Sequence, residues 1–242
     1  MSAKNDGSIF ALIPAAGAGK RMGGHVPKQY LSLLGKSILE HTLSLFVNNE
    51  KIKSVIVTVA PDDKLLSGLP SPLLEQCKIV TGGAERCDSV VAGLNCLRKT
   101  ESDDSWVLVH DAARPCVRPR DIDKLIETLL GNSVGGLLAT PVLDTLKDSE
   151  NSGLVSKTID RSRLWRALTP QMFRLGLLHE ALIASLKCGA KVTDESQAIE
   201  NAGFSATLVE GSNDNIKVTR PEDLWLAEAI LSHHESLREE FS

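Results

Sequence analysis

The chain has 242 residues, of which 42% are hydrophobic and only 4% aromatic, and 27 basic against 31 acidic side chains give it a formal net charge of −4. A chain of this size can bury a core unaided, offers few aromatic platforms for stacking single-stranded nucleic acid, and has no global charge to draw it to nucleic acid or an anionic membrane. Its five cysteines, an odd number without C-x-x-C spacing, argue against a disulfide scaffold or zinc site, and no apolar run reaches the roughly 20 residues of a membrane span. The polar start Met1–Gly7 and the short apolar run after it do not read as an export signal, so the expected location is the cytoplasm, or a plastid had a transit peptide been removed.

In chain order, Ile9–Ile13 predicts a short buried strand. Ser37–Val47 carries apolar residues at mostly helical spacing, and Ser54–Ala60 is a continuous β-branched run. Lys78–Thr81 and Trp106–Val109 read as further strands, Ser89–Leu97 and Arg120–Leu130 as helices, and Leu137–Ala139 as a strand. This βαβα alternation predicts an α/β fold of the Rossmann-like kind, with a mainly parallel sheet and helices on both faces. Ligands of such sheets sit beyond the carboxyl ends of the strands, which directs attention to the loops after Ile13, Ala60, Thr81 and Val109. From Val142 to Thr158 the pattern weakens into two short strand-like pieces around a polar turn at Asp148–Gly153, expected to form a protruding β-arm. Helices are expected near Leu175–Cys188, near Glu195–Asn201 and from Pro221 onward, with short strands around Ala206–Val209 and Ile216–Val218. No repeat, low-complexity tract or linker interrupts the chain, so residues 1–242 are expected to form one domain with the arm inside it.

The first strand runs into Pro14-Ala15-Ala16-Gly17-Ala18-Gly19-Lys20-Arg21-Met22, followed by Pro27-Lys28-Gln29-Tyr30. Small residues let the backbone approach a ligand and turn its N–H groups into an anion-binding nest. Lys20, Arg21 and Lys28 supply the local basic cluster that an anionic ligand needs on an acidic chain. Two familiar phosphate motifs fail: His25 stands where a P-loop needs Lys, and Met22 where a dinucleotide fingerprint needs Gly. Asp111, just past the strand Trp106–Val109, is a candidate Mg²⁺ ligand, because Mg²⁺ takes only one or two carboxylates and completes its shell with water and phosphate oxygens. His110 reads as a packing residue, and His233-His234 as solvated.

The strings PAAGAGKRM, PKQYL, GGAERCDSV, VHDAARP, DTLK, LWRALTPQ, VTDESQA and DNIKVTRPEDL, in this order, resemble the 2-C-methyl-D-erythritol 4-phosphate cytidylyltransferase family over about Ile9 to Leu231. The resemblance implies a nucleotidyltransferase that joins CTP to a polyol phosphate, with Mg²⁺ as cofactor, and a homodimer that binds neither nucleic acid nor membrane. It implies that Arg21 and Lys28 stabilise the transition state, that Arg161 and Lys217 position the polyol phosphate, and that Asp111 lies where metal and substrate meet. Ala15, Ala16, Gly17, Gly83, Ser89 and Ala112 match CTP-contacting positions. Thr169 and Thr193 match further substrate-side positions, and Thr145 and Arg114 match ones used across the dimer interface. Ala84 departs from the acidic residue of some relatives, which bears on the details of cytosine contact, and Cys87 from their small residue.

Chemistry agrees with these roles. A phosphate dianion is already a nucleophile, so the obstacle is bringing two polyanions together, and positioning with charge neutralisation is what the protein must supply. Gly82-Gly83 with Ser89 suits reading of a cytosine edge, and Arg86 is a candidate to orient that loop. A cytidylyltransferase for another polyol phosphate such as ribitol 5-phosphate, and a non-catalytic nucleotide-binding protein on the same fold, remain alternatives at this point.

Overall fold

The computed structural model describes residues 7–17, 26–69, 71–150 and 153–240. Arg21, with Lys20, lies outside them. The central sheet is built first from β1 (Ile9–Pro14), β4 (Ser54–Val59), β5 (Cys77–Thr81) and β6 (Trp106–Val109), all parallel. The runs of β1 and β6 are unbroken and apolar because both faces are covered, whereas the edge strand β5 carries Lys78 and is largely exposed. Ile9, Ala11 and Ile13 of β1 face α1 (Ile38–Val47) and α5 (Pro119–Leu129), whereas Phe10 and Leu12 face α4 (Arg86–Leu97), α6 (Leu175–Lys187) and α7 (Glu195–Asn201). The expected Rossmann-like architecture is the observed one.

Local chemistry sets the helix starts. Ser37 caps α1 in a reciprocal box with Glu40: the Glu40 N–H donates to Ser37 Oγ, and the Ser37 N–H to Glu40 Oε2 at 2.8 Å. Pro119 occupies the first turn of α5, where its missing N–H costs nothing. A two-stranded β2 (Ser32–Leu33) and β3 (Lys36–Ser37) hairpin leads into α1, and two short helices, α2 (Lys64–Ser67) and α3 (Pro72–Glu75), precede β5.

Beyond β6 the sheet gains β7 (Gly135–Pro141), β10 (Trp165–Arg174) and β11 (Thr207–Glu210), giving, among the described residues, seven strands in the order β11-β7-β10-β6-β1-β4-β5. The sequence reading contains no β10. Its Pro170 and interspersed Arg166 and Gln171 disguise a strand buried from Leu168 to Phe173. Pro170 falls where the ladder with β7 shifts register between Ala167 and Gln171, a place that needs no N–H donor. β10 runs antiparallel to both neighbours. Its first half therefore lies at the carboxyl end of β6, where a parallel strand would have placed its last residues.

Two further expectations meet the structure differently. Val142–Thr158 contains a separate antiparallel ladder of β8 (Leu146–Ser149) and β9 (Val155–Ile159), with Leu143, Leu154 and Val155 each at least 60% exposed. Residues 216–218, expected to be a strand, form no ladder. Their stretch of backbone is bound singly instead: Val218 N–H donates to the Ala113 carbonyl, the Asn215 carbonyl accepts Arg114 Nη1, and the Val218 carbonyl accepts Lys28 Nζ. The Val218 side chain fills a small third core with Leu33, Ile38, Cys116 and Ala227 of α8 (Glu222–Glu240). Among the described residues no helix is long and apolar enough to cross a membrane.

Gly136 lets β11 close on β7. A methyl group built there would lie 2.1 Å from the Thr207 carbonyl oxygen. Gly136→Ala is expected to lower the unfolding free energy by about 1–3 kcal/mol, the usual cost of overpacking, as read by urea denaturation of the two proteins side by side.

Candidate active site

A cleft of about 610 Å³ opens beyond the carboxyl ends of β1, β5 and β6, where the chain order of the strands reverses direction. Its walls include Ala15, Ala16 and Gly17 after β1, Gly83 and Ser89 after β5, and Asp111 and Ala112 after β6, together with Lys28 and Lys217. Nine of the expected site residues thus share one cavity.

The small-residue loop is held from behind. Lys28–Tyr30 is one turn of 3₁₀ helix, which points Gln29 inward and leaves Lys28 on the cleft side. The buried Gln29 Nε2 donates to the Ala15 carbonyl at 2.6 Å and to the Gly17 carbonyl at 3.1 Å. Ala15 N–H is tied to the Thr58 carbonyl. With carbonyls pinned inward, this backbone presents little negative charge to an anion in the cleft.

Asp111 is the electrostatic centre. Its carboxylate is nearly inaccessible and accepts from Arg86 Nε at 3.0 Å, Lys217 Nζ at 2.8 Å and Arg114 Nε at 3.4 Å. Burial alone would raise its pKa, but the charges of Arg86, Lys217 and Arg114 outweigh it and hold the carboxyl far below the usual range. Asp111 N–H donates to Thr169 Oγ1 at 3.1 Å, and Thr169 Oγ1 lies 3.0 Å from His110 Nδ1. His110 Nε2 faces the Arg114 carbonyl at 3.1 Å, which can only accept. Nε2 therefore carries the proton, and Thr169 donates its hydroxyl hydrogen to Nδ1. Asn215 Nδ2 closes the ring by donating to the Thr169 carbonyl at 2.8 Å. His110 packs as expected, against the Phe46 ring.

On the opposite wall, Gly83 N–H donates to the buried Ser89 Oγ at 3.1 Å, and the same hydroxyl donates to the Glu85 carbonyl. A methyl group on Gly82 would meet Ser89 Oγ at 2.7 Å and Ala16 Cβ at 2.9 Å, so glycine there brings the loops after β1 and β5 together. Arg86, the first residue of α4, also forks both Nη atoms onto Glu195 at 2.7 and 3.0 Å. Glu195 is absent from the sequence-derived site. Its only signal was its place in the VTDESQA string, because a carboxylate at a helix start is ordinarily a capping residue in solvent.

Of the other expected residues, Thr169 and Arg114 reach the cleft through Asp111, and Arg161, Thr145 and Thr193 sit apart. Arg161 Nη1 donates to Thr145 Oγ1 at 3.2 Å at the exposed foot of the arm. Thr193, also exposed, is bonded to Gln197 Oε1 through its N–H and its hydroxyl. Arg114, expected at an inter-subunit position, turns inward to Asp111 and to the Asn215 carbonyl, because the buried carboxylate demands charge. His234, expected to be solvated, lies 2.9 Å from Asp214, which also receives Arg118. His233 shows no such pairing among the described residues.

Asp111 can take part in binding a divalent ion. A carboxylate has about four acceptor directions. The described partners use one on Oδ1 and two on Oδ2, which leaves one on Oδ1. Among the described residues no group of three or more His, Cys, Asp or Glu could hold a metal alone, so most of the shell would come from substrate oxygens and water, as suits Mg²⁺.

An α/β sheet with a small-residue loop, cations and an ionised aspartate at its switch point suits a polyanionic ligand, and its relatives make it a nucleotidyltransferase. The sequence profile of the 2-C-methyl-D-erythritol 4-phosphate cytidylyltransferase family (IspD) matches residues 9–233. The enzyme of that name from Pseudomonas entomophila is 52% identical over 221 residues, 90% of this chain and 94% of its own. A solved 4-diphosphocytidyl-2C-methyl-D-erythritol synthase superposes with a TM-score of 0.82 at 38% identity, covering 93% of this chain and 98% of that one. The Francisella tularensis 2-C-methyl-D-erythritol 4-phosphate cytidylyltransferase superposes with a TM-score of 0.79 at 36% identity, covering 92% and 99%. The chain belongs to this family, as its strings already implied.

Burial pushes the His110 imidazole down from 6.5 to about 4. In the unfolded chain it takes up a proton near 6.5, so between these values the unfolded state holds more protons and stability falls with falling pH. From pH 7 to pH 4 wild type is expected to lose about 3 kcal/mol more than His110→Asn, measured by denaturant titration at both pH values.

Proposed function

We infer that the chain transfers the cytidylyl group of CTP to the phosphate of 2-C-methyl-D-erythritol 4-phosphate, giving 4-diphosphocytidyl-2-C-methyl-D-erythritol and pyrophosphate. An oxygen of the polyol phosphate attacks the α-phosphorus in line, and the bond to the β-phosphate oxygen breaks, with the electron pair leaving on pyrophosphate. The observation that carries this reading is the cationic ring around Asp111, open to a small-residue loop within one cleft. Family membership favours the methylerythritol substrate over ribitol 5-phosphate and a catalytic over a merely binding protein.

In this reading Ala15, Ala16, Gly17 and Ala112 line the nucleotide, with Gly83 and Ser89 toward its base. Lys28 and Arg21 meet charge developing at the α-phosphate and on the leaving group. Lys217 and Arg161 aim the incoming phosphate, with Thr169, Thr193 and Thr145 on the same substrate's side. Asp111 holds Lys217 and would hold a Mg²⁺ ion through its remaining acceptor site; the ion would supply charge neutralisation to the triphosphate. Pyrophosphate release, measured with four NTPs crossed against several polyol phosphates, tests the reading: only CTP with the methylerythritol phosphate is expected to turn over rapidly. Lys28→Ala is expected to lower kcat by about 10²–10³, the scale of losing one transition-state charge donor. Lys217→Ala and Arg161→Ala are expected to raise the KM for the polyol phosphate while CTP binding survives, which titration calorimetry with CTP alone checks separately.

The same reading includes a cytoplasmic homodimer formed from single-domain chains. A lone hairpin is marginal in water, yet β8–β9 and its foot carry Leu143, Leu154, Val155 and Trp165 exposed. A twofold contact between arms would cover them and bring Thr145 and Arg161 to the partner's cleft. Leu143→Asp combined with Leu154→Asp is expected to lower the dimer fraction in sedimentation and turnover together; a monomer with full turnover would leave the arm without a role.

A further inference from the structure

We propose that Glu195 is a positioning residue for the second substrate, acting through Arg86 and Asp111 on the ammonium group of Lys217. The four side chains form a row of alternating charge. Glu195 receives the Arg86 fork at 2.7 and 3.0 Å, Arg86 Nε donates to Asp111 Oδ1 at 3.0 Å, and Lys217 Nζ donates to Asp111 Oδ2 at 2.8 Å. The row spans four pieces of chain that the sequence keeps apart: the start of α7, the start of α4, the end of β6 and the ladder-free segment before α8. Glu195 is 1% exposed and, unlike the other three, does not line the cleft. It stands behind the cleft wall, and its hydrogen bonds to Arg86 connect it to the groups that line the cleft.

The direction of that effect follows from the geometry of the groups. A guanidinium is planar, so fixing both Nη atoms on one carboxylate fixes the direction of Nε–H as well. Glu195 thereby aims Arg86 at Oδ1 and sets the rotation of the Asp111 carboxylate, and Oδ2 then sets the place of the ammonium group. Lys217 needs such a guide. Its stem is long and flexible, its side chain is 34% exposed, and its backbone belongs to no sheet. The buried charge of Glu195 is also costly unless paired, which makes the fork the strongly preferred arrangement of Arg86 and keeps it from turning into the cleft.

This inference rests on the reading that Lys217 meets the polyol phosphate. A double-mutant cycle separates the two. Steady-state kinetics with each substrate varied are measured for wild type, Glu195→Gln, Lys217→Ala and the double variant. Glu195→Gln is expected to raise the KM for the polyol phosphate about tenfold, the scale of a displaced positioning group, and to leave the KM for CTP within about twofold. In the Lys217→Ala background it is expected to add nothing to the polyol-phosphate KM. Glu195→Asp keeps the charge and secures a folded protein for the same cycle should Glu195→Gln not fold; it is expected to give a smaller rise. If Lys217→Ala leaves the polyol-phosphate KM unchanged, the assignment of Lys217 fails and the proposal with it. If Lys217→Ala raises that KM and the effect of the Glu195 variant multiplies on top of it, or if the KM for CTP rises equally, Lys217 stands and the role of Glu195 is overturned.

Discussion

The carboxylate of Asp111 is the constraint around which the site is arranged. A charge buried this deeply costs on the order of several kcal/mol unless it is paired and hydrogen-bonded. The pairing comes from three cations on three separate stretches of chain: Arg86 at the start of α4, Arg114 in the loop after β6, and Lys217 before α8. Glu195 then pairs Arg86 from behind. Three positive charges against two negative leave the cluster with a local excess of one, on a chain whose total is −4. The cleft thus offers a polyanion a local excess of positive charge, and the same pairing that stabilises Asp111 fixes groups that line it.

The direction of β10 makes this cluster possible. Because β10 runs against both neighbours, Thr169 arrives at the carboxyl end of β6, where its hydroxyl takes the Asp111 N–H and gives its own hydrogen to His110. Asn215 then binds the Thr169 carbonyl through its side chain and the Arg114 guanidinium through its backbone carbonyl. One antiparallel strand in an otherwise parallel sheet therefore ties the loop after β6 to the segment that carries Lys217. These bonds hold the network in one arrangement, although the buried Asn215 Oδ1 has no partner among the described residues. His110, neutral in its apolar surroundings, joins it as acceptor and donor without adding a charge.

On the proposed reading the two substrates meet different parts of the fold. The cleft wall is formed by small residues close to the sheet, held by Gln29 and by the mutual contact of Gly82, Ser89 and Ala16. Arg161 and Thr145 stand outside the cleft, at the foot of an exposed ladder whose apolar side chains lack cover within the chain's own core. A rigid half and a peripheral half are what the chemistry asks for, since a triphosphate must be held while a second anion is brought in line with it.

Much of this was legible in the sequence. Unbroken apolar runs such as Ile9–Ile13 and Trp106–Val109 state that both faces of a parallel sheet are covered, because nothing polar needs water there. The PAAG string with Lys28, and Asp111 at a strand end, mark the cleft, because loops at the carboxyl ends of such strands meet in space. Tertiary structure alone decided the rest. β10 hid behind Pro170 and its polar residues, because the ladder tolerates a missing donor only at a bulge that pairing creates. Ile216–Val218 has a strand's composition, yet its carbonyls are claimed by Lys28 and its neighbour's by Arg114. The fork of Arg86 on Glu195, the bond of Arg114 to the Asn215 carbonyl and the contact of His234 with Asp214 join residues between 20 and 109 positions apart. Local sequence fixes which groups are charged; which charges meet in a buried site depends on the packing that brings distant loops together and removes the water that would have screened them.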